Sequence, residues 1–140
     1  MKHRLVILGA GESGVGAALL AKQKGYDVFV SDGGAIKEKY KQELFENEIE
    51  FEEGNHSVEK ILNADEVMKS PGIPEKNEMV KTIRAKDISI ISEFELAYRF
   101  KGTSKIVGIT GSNGKSTCTS LLFHICKTAG LNCALVGNIG

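Results

Sequence analysis

Short apolar runs separated by polar, charged stretches set the rhythm of this 140-residue chain. Leu5-Val6-Ile7-Leu8 is apolar at four successive positions, the pattern of a parallel strand covered on both faces. Residues 26–30 form a second such run ending at Ser31-Asp32, and 49–51, 62–69 and 88–91 read as further strands. Between them lie helical patterns. One carries Val15, Leu19 and several alanines; residues 36–47 and 76–86 are charged and amphipathic; 92–100 reads as a connecting helix. Strand–helix alternation of this kind predicts an α/β fold with a parallel sheet. After the polar stretch Lys101-Gly102-Thr103-Ser104 the pattern restarts. Ile106-Val107-Gly108-Ile109 reads as a buried strand, a helix places Cys118, Leu122, Ile125 and Ala129 on one face, and 133–136 reads as a last strand. One β-α-β unit cannot cover both its faces, so a second domain is expected to be only begun here.

The turns carry the candidate chemistry. Gly9-Ala10-Gly11-Glu12-Ser13-Gly14 is a G-x-G-x-x-G turn between strand and helix, and Asp32 follows Gly14 by eighteen positions. That is the pattern of a Rossmann βαβ unit, with an acidic residue placed for a ribose. Three readings stay open: a nicotinamide dinucleotide, a nucleotide or nucleotide-sugar without nicotinamide, or a purely structural turn. Glu12 stands where a pyrophosphate would approach a helix N-terminus, and a carboxylate there disfavours an anion. Both prolines fall in Ser70-Pro71-Gly72-Ile73-Pro74, a stiffened loop at a strand's carboxyl end, where open α/β sheets bind ligands. His56, in the loop 53–57, reads as a surface histidine without a role.

The second pattern contains Gly108-Ile109-Thr110-Gly111-Ser112-Asn113-Gly114-Lys115-Ser116-Thr117. Glycines there let backbone N–H groups curl around an anion, and the following helix adds its positive end. Gly111, Ser112, Asn113, Gly114, Lys115, Ser116 and Thr117 are the expected phosphate-binding residues of a P-loop. Lys115 would supply a mobile positive charge for the outer phosphates and Ser116 would ligate Mg²⁺. The spacing is G-x-x-G-x-x-G-K-S-T rather than the common G-x-x-x-x-G-K-[ST], since position 109 is Ile.

That variant resembles the ATP loop of the Mur ligases and the related folylpolyglutamate synthetases. The likeness to the Mur ligases runs from Leu8-Gly9-Ala10-Gly11 through Ser70-Pro71-Gly72-Ile73 and the glycine-rich loop to Gly137-Asn138-Ile139-Gly140. The resemblance implies a cytoplasmic enzyme of peptidoglycan synthesis that uses ATP and Mg²⁺. It would join D-glutamate to UDP-N-acetylmuramoyl-L-alanine through an acyl phosphate. It also implies that Gly111 to Thr117 hold ATP, with Lys115 on the transferred phosphate and Ser116 on the metal. Glu12, Ser13, Asp32, Gly33 and Gly72 would by the same resemblance contact the uridine diphosphate, and Asn138 would touch the substrate between two domains. Residues 1–93 would be the Rossmann-like substrate-binding domain. Residues 94–140 would be a linker and the start of a central P-loop ATPase domain. The family more often has a polar or basic pair where this chain has Gly33-Gly34. The family's later metal-binding carboxylate and histidine, its modified lysine and its D-glutamate domain are not in these residues. A fragment with nucleotide-sugar recognition and half an ATP site, itself inactive, is therefore expected.

Composition narrows the alternatives. With 18 basic and 18 acidic side chains, the net charge is zero, so no global field favours nucleic acid. No apolar run approaches the roughly 20 residues needed to cross a bilayer. The basic Met1-Lys2-His3-Arg4 runs into a first strand rather than a signal peptide. The three cysteines lack metal-ligand spacing and read as small core residues of a reducing cytosol. Two other classes compete: a stand-alone regulatory module binding NAD(H) or an adenine nucleotide, and a small P-loop NTPase. The second lacks a downstream strand with an acidic end for Mg²⁺. About six apolar side chains of the β-α-β segment would lack cover at roughly 1.5–3 kcal/mol each. Either that segment is loosely ordered or copies of the chain associate through it.

Overall fold

The hydrophobic runs assemble into a five-stranded, wholly parallel sheet in the order β3-β2-β1-β4-β5. The structure, a computed structural model, describes residues 2–137. The strands are β1 (Arg4–Leu8), β2 (Asp27–Asp32), β3 (Glu50–Glu53), β4 (Glu66–Lys69) and β5 (Ser89–Ile91). The helices are α1 (Glu12–Gln23), α2 (Glu38–Glu46), α3 (Val58–Leu62), α4 (Glu78–Ala85), α5 (Glu93–Arg99) and α6 (Lys115–Thr128). The chain divides into two compact units, one ending at Gly102 and one beginning at Thr103.

Strand periodicity sorts the core of the first unit into two layers. Leu5 and Ile7 of β1, Val28 and Val30 of β2 and Met68 of β4 point to one face. There they meet Val15, Ala17, Ala18 and Ala21 of α1, Tyr40 and Leu44 of α2, and Leu96 of α5. Val6, Leu8, Phe29 and Val67 point to the other face and meet Ile61 of α3 and Ile83 of α4. β1 lies between β2 and β4 and is covered on both sides, which is why its run admits no polar residue. Helices α1 and α2 cover one face and α3 and α4 the other, so the direction of winding reverses between β1 and β4.

One charged residue enters this core. Glu66, 6% exposed, accepts two hydrogen bonds from the Arg99 guanidinium, at 2.6 and 2.8 Å. The pair ties the end of α5 to β4. Phe100 stacks edge-on against Tyr26, and Tyr26 against His3, at the same end of the sheet.

The second unit departs from the sequence reading. Helix α6 forms as expected, entered through Gly114 with φ of 75°. Residues 106–109 and 133–136 take no strand conformation. A parallel strand persists only in a ladder, and among the described residues neither segment has a strand beside it. Ile106, Val107, Leu121, Ile125 and Val136 are all exposed. The cysteines are not core residues either: Cys118 is exposed, and Cys126 and Cys133 are half-buried. Helix α3 is absent from the sequence reading, which runs one strand over 62–69. In the structure β4 starts only at Glu66.

Replacing Arg99 by Ala strips the buried Glu66 carboxylate of both its close hydrogen bonds. The expected cost is about 2–3 kcal/mol in urea unfolding of the sheet unit. Arg99→Lys should recover only part of it, because an ammonium cannot make the paired contact. Unfolding of Arg99→Ala at the wild-type midpoint would refute this.

Candidate functional site

Three glycine- or proline-bearing loops leave the carboxyl ends of β1, β2 and β4 and meet at the point where the winding reverses. In open α/β sheets this is the ligand crevice. The loop after β1 is pinned from two sides: Gly9 N–H donates to the Ser31 carbonyl at 2.9 Å, and Ala10 N–H to Asp32 Oδ2 at 2.7 Å. Gly9 has φ of 98°, and a Cβ there would stand 2.6 Å from Ser70 Oγ. The first loop and the loop 70–73 therefore touch, and only glycine permits it. Gly11 caps α1 without a side chain, so Glu12 and Ser13 begin the helix, exposed beside its free N–H groups.

The Asp32 carboxylate is already engaged within the loops it joins. Its second oxygen accepts from Gly34 N–H at 2.8 Å, so each carboxylate oxygen already holds a backbone donor. Gly34 in turn accepts at its carbonyl from Gly54 N–H at 3.0 Å, joining the loop after β2 to the loop after β3. The loop 70–73 is held by Lys69, whose ammonium donates to the Ile73 carbonyl at 2.8 Å and pairs with Glu75 at 3.3 Å. Pro71 and Gly72 are exposed at its tip. The structure thus gathers Glu12, Ser13, Asp32, Gly33 and Gly72 along one sheet edge. Asn138 lies outside the described residues.

Behind this edge is a network that the sequence reading missed. The Ser31 hydroxyl, fully buried, lies 2.7 Å from Glu52 Oε1 and 2.7 Å from His56 Nδ1. Glu52 Oε1 also accepts from Ser57 N–H at 2.7 Å. Burial pushes the Glu52 carboxyl up. The hydrogen bonds from Ser57 and Ser31 and the nearby Lys60 charge outweigh it and hold the group below the ordinary carboxylate range. His56 is half-buried and engaged, not a surface histidine without a role. No spacing announces this, because Ser31, Glu52 and His56 meet only through the β2–β3 pairing.

In the second unit the glycine-rich loop 111–114 leads into α6. Gly111 (φ 156°) and Gly114 (φ 75°) both use backbone space that favours glycine. Lys115 folds its ammonium back onto the carbonyl oxygens of Gly111 and Ser112, where an anion would compete for it. Ser116 and Thr117 stand exposed in the first helical turn. Among the described residues no cluster of three His, Cys, Asp or Glu could hold a metal. A divalent cation here would have the Ser116 hydroxyl, with the remaining oxygens coming from nucleotide phosphates and water. Mg²⁺ accepts that donor set.

Comparison with known proteins adds a family. Residues 4–79 match the MurD N-terminal domain. The chain is 58% identical over 137 residues to the UDP-N-acetylmuramoylalanine–D-glutamate ligase of Bacteroides fragilis, covering 98% of this chain and 31% of that protein. It is 53% identical over 140 residues to the enzyme of the same name from Christiangramia forsetii, covering 100% of this chain and again 31% of the relative. The chain thus spans under a third of the length of these relatives. A solved murein peptide ligase from Psychrobacter arcticus shares the fold, with a TM-score of 0.68 at 19% identity over 97% of this chain and 30% of its own.

The Glu52 network sets an acid limit. A carboxyl held low in the folded state gives stability that is full above its unfolded value, near 4.3, and lost as pH falls through the folded value. Glu52→Gln should therefore unfold more easily than wild type at pH 7, and the gap should narrow as pH falls below the ordinary carboxylate range. Urea titrations at stepped pH measure this. A gap that stays constant down to acid pH would contradict it.

Proposed function

Because the chain belongs to the MurD ligase family, carrying that family's N-terminal domain at residues 4–79, we propose that its sheet edge holds the uridine diphosphate end of UDP-N-acetylmuramoyl-L-alanine. Glu12 and Ser13 of the first loop, Asp32 and Gly33 after β2, and Gly72 after β4 are the contacts. Asp32 and Gly9 set the loops that present them. The observation that carries this reading is the convergence of the three loops at the point where the winding of the sheet reverses.

The second unit takes ATP in this reading. Residues 111–117 cradle the triphosphate, and Lys115 exchanges its own loop carbonyls for the transferred phosphate. Ser116 contributes to Mg²⁺, which when bound neutralises phosphate charge. The whole reaction is then the one the relatives are named for, D-glutamate joined to UDP-N-acetylmuramoylalanine. In this proposal it draws on ATP and takes place in the cytoplasm as a step of peptidoglycan synthesis. Phosphoryl transfer relies on several converging charged groups. Residues 1–140 alone supply Lys115 and Ser116 and should not complete it. The exposed apolar side chains of the second unit give isolated copies of these 140 residues a surface through which to associate.

Thermal-shift titration tests the ligand assignment. UDP-N-acetylmuramoyl-L-alanine should raise the melting temperature, and NAD⁺ should not. Lys115→Ala should remove any Mg-ATP response and leave the uridine response intact. Stabilisation by NAD⁺ alone would replace this reading with a dinucleotide-binding regulator. Phosphate release assayed on the 140 residues with all substrates should stay at background, and substrate-dependent turnover would overturn the inactivity. Sedimentation of the chain beside a version ending at Phe100 should show self-association only in the longer one. Two monomers would end that part of the proposal.

A further inference from the structure

The Ser31–Glu52–His56 network fixes the hydrogen positions on a ring that faces the loop after β2. The Ser31 hydroxyl has one proton and two neighbours at 2.7 Å, Glu52 Oε1 and His56 Nδ1. Glu52, held ionised and already accepting from Ser57, can only accept, so the Ser31 proton goes to it. Ser31 must then accept from His56, which places a proton on Nδ1. In a neutral imidazole that leaves Nε2 as a bare acceptor.

The placement of Nε2 is specific. Beyond the adjoining residues 32 and 34, it is the atom nearest to where a side chain at Gly33 would begin, 3.1 Å from an added Cβ, and the ring's next atoms follow at 3.6 and 3.8 Å. Gly33 is exposed and directly follows Asp32. The ring therefore stands close against the place where a side chain at position 33 would begin, at the loop assigned to the nucleotide. We propose that His56 is a binding residue of the uridine-nucleotide site, with Nε2 accepting a hydrogen bond from the nucleoside. The inference rests on the uridine reading of this edge. The group it meets must be a donor, which excludes the ionised diphosphate. The uracil N3–H and the ribose hydroxyls are the donors a uridine nucleotide offers. Gly33 is then glycine so that the ring can reach them.

The test uses the 140-residue chain at pH 8 with UDP as probe. Nitrogen-15 NMR of the free chain should show a protonated Nδ1 and an unprotonated Nε2 on His56, with the Nε2 resonance moving when UDP is added. His56→Asn keeps a donor toward Ser31 and removes Nε2. It should weaken UDP binding about tenfold, the worth of one hydrogen bond, with the fold retained. If that variant fails to fold, Gly33→Ala, whose methyl group crowds Nε2 by a few tenths of an ångström, should weaken UDP binding and reduce the movement of the His56 Nε2 resonance on UDP addition. An Nε2 resonance that moves as in wild type while binding weakens overturns the proposal. The penalty disappearing with CDP assigns the donor to uracil N3–H, and with 2′-deoxy-UDP to the ribose 2′-hydroxyl. Persistence with both leaves the 3′-hydroxyl, and each of these outcomes supports the proposal. A proton on Nε2 in the free chain overturns it. So does His56→Asn binding UDP like wild type while wild-type amides at Glu12, Ser13 and Gly72 respond to UDP; the uridine reading then stands and only the role of His56 falls. A wild-type chain that ignores millimolar UDP overturns both.

Discussion

The edge of this sheet depends on one carboxylate. Asp32 accepts the N–H of Ala10 with one oxygen and the N–H of Gly34 with the other, at 2.7 and 2.8 Å. The first bond holds the glycine turn after β1; the second shapes the turn after β2, which is bonded on to Gly54. Three βα loops thereby share a single rigid reference, and a charge-assisted bond to backbone N–H is among the stronger kinds available. The arrangement explains why an acid can stand near a proposed anion site. Asp32 has its negative charge turned toward two backbone donors, so part of it is already compensated before any ligand arrives.

The two units differ in what their apolar residues find. In the first, every strand has a ladder partner and both sheet faces have helices, so Leu5 to Leu8 reach nearly zero exposure. In the second, α6 has no buried residue, and the flanking apolar segments find no ladder within 103–137. Equal apolarity of sequence thus gives opposite outcomes. Helix α6 survives because its hydrogen bonds are internal to the segment, whereas a strand's are not.

That contrast also governs how much could be read from the sequence. β1, α1 and α5 are legible because continuous apolarity or helical period marks them, and the glycine turn announces the first loop. Helix α3 escapes because five residues with one buried side chain, Ile61, make too little period to register. The strands at 106–109 and 133–136 are read from local pattern alone, and pattern cannot report whether a neighbour exists. Of the candidate site, Glu12, Ser13, Asp32, Gly33 and Gly72 are placed together by topology. Lys69 and the Ser31–Glu52–His56 network are invisible, because their partners meet only through loop closure and strand register. The Arg99–Glu66 pair, 33 residues apart, is hidden for the same reason.

The two glycine-rich turns divide the electrostatic work in opposite ways. The loop after β1 opens its helix with an acid, Glu12, and has no basic residue among 9–14. Within this loop an anion can be held only by backbone N–H groups, the Ser13 hydroxyl and the helix dipole, the last contributing roughly 0.3–1 kcal/mol when exposed. The loop before α6 opens its helix with Lys115, a full positive charge already poised over two carbonyl oxygens. In the proposed assignment the first loop meets a diphosphate that is not transferred, so a weak hold is sufficient and recognition falls to the nucleoside. The second meets the phosphate whose charge is redistributed during transfer, and a mobile cation there stabilises the transition state more than the ground state. In that assignment, the placement of one acid and one base at matching helix starts separates recognition from chemistry.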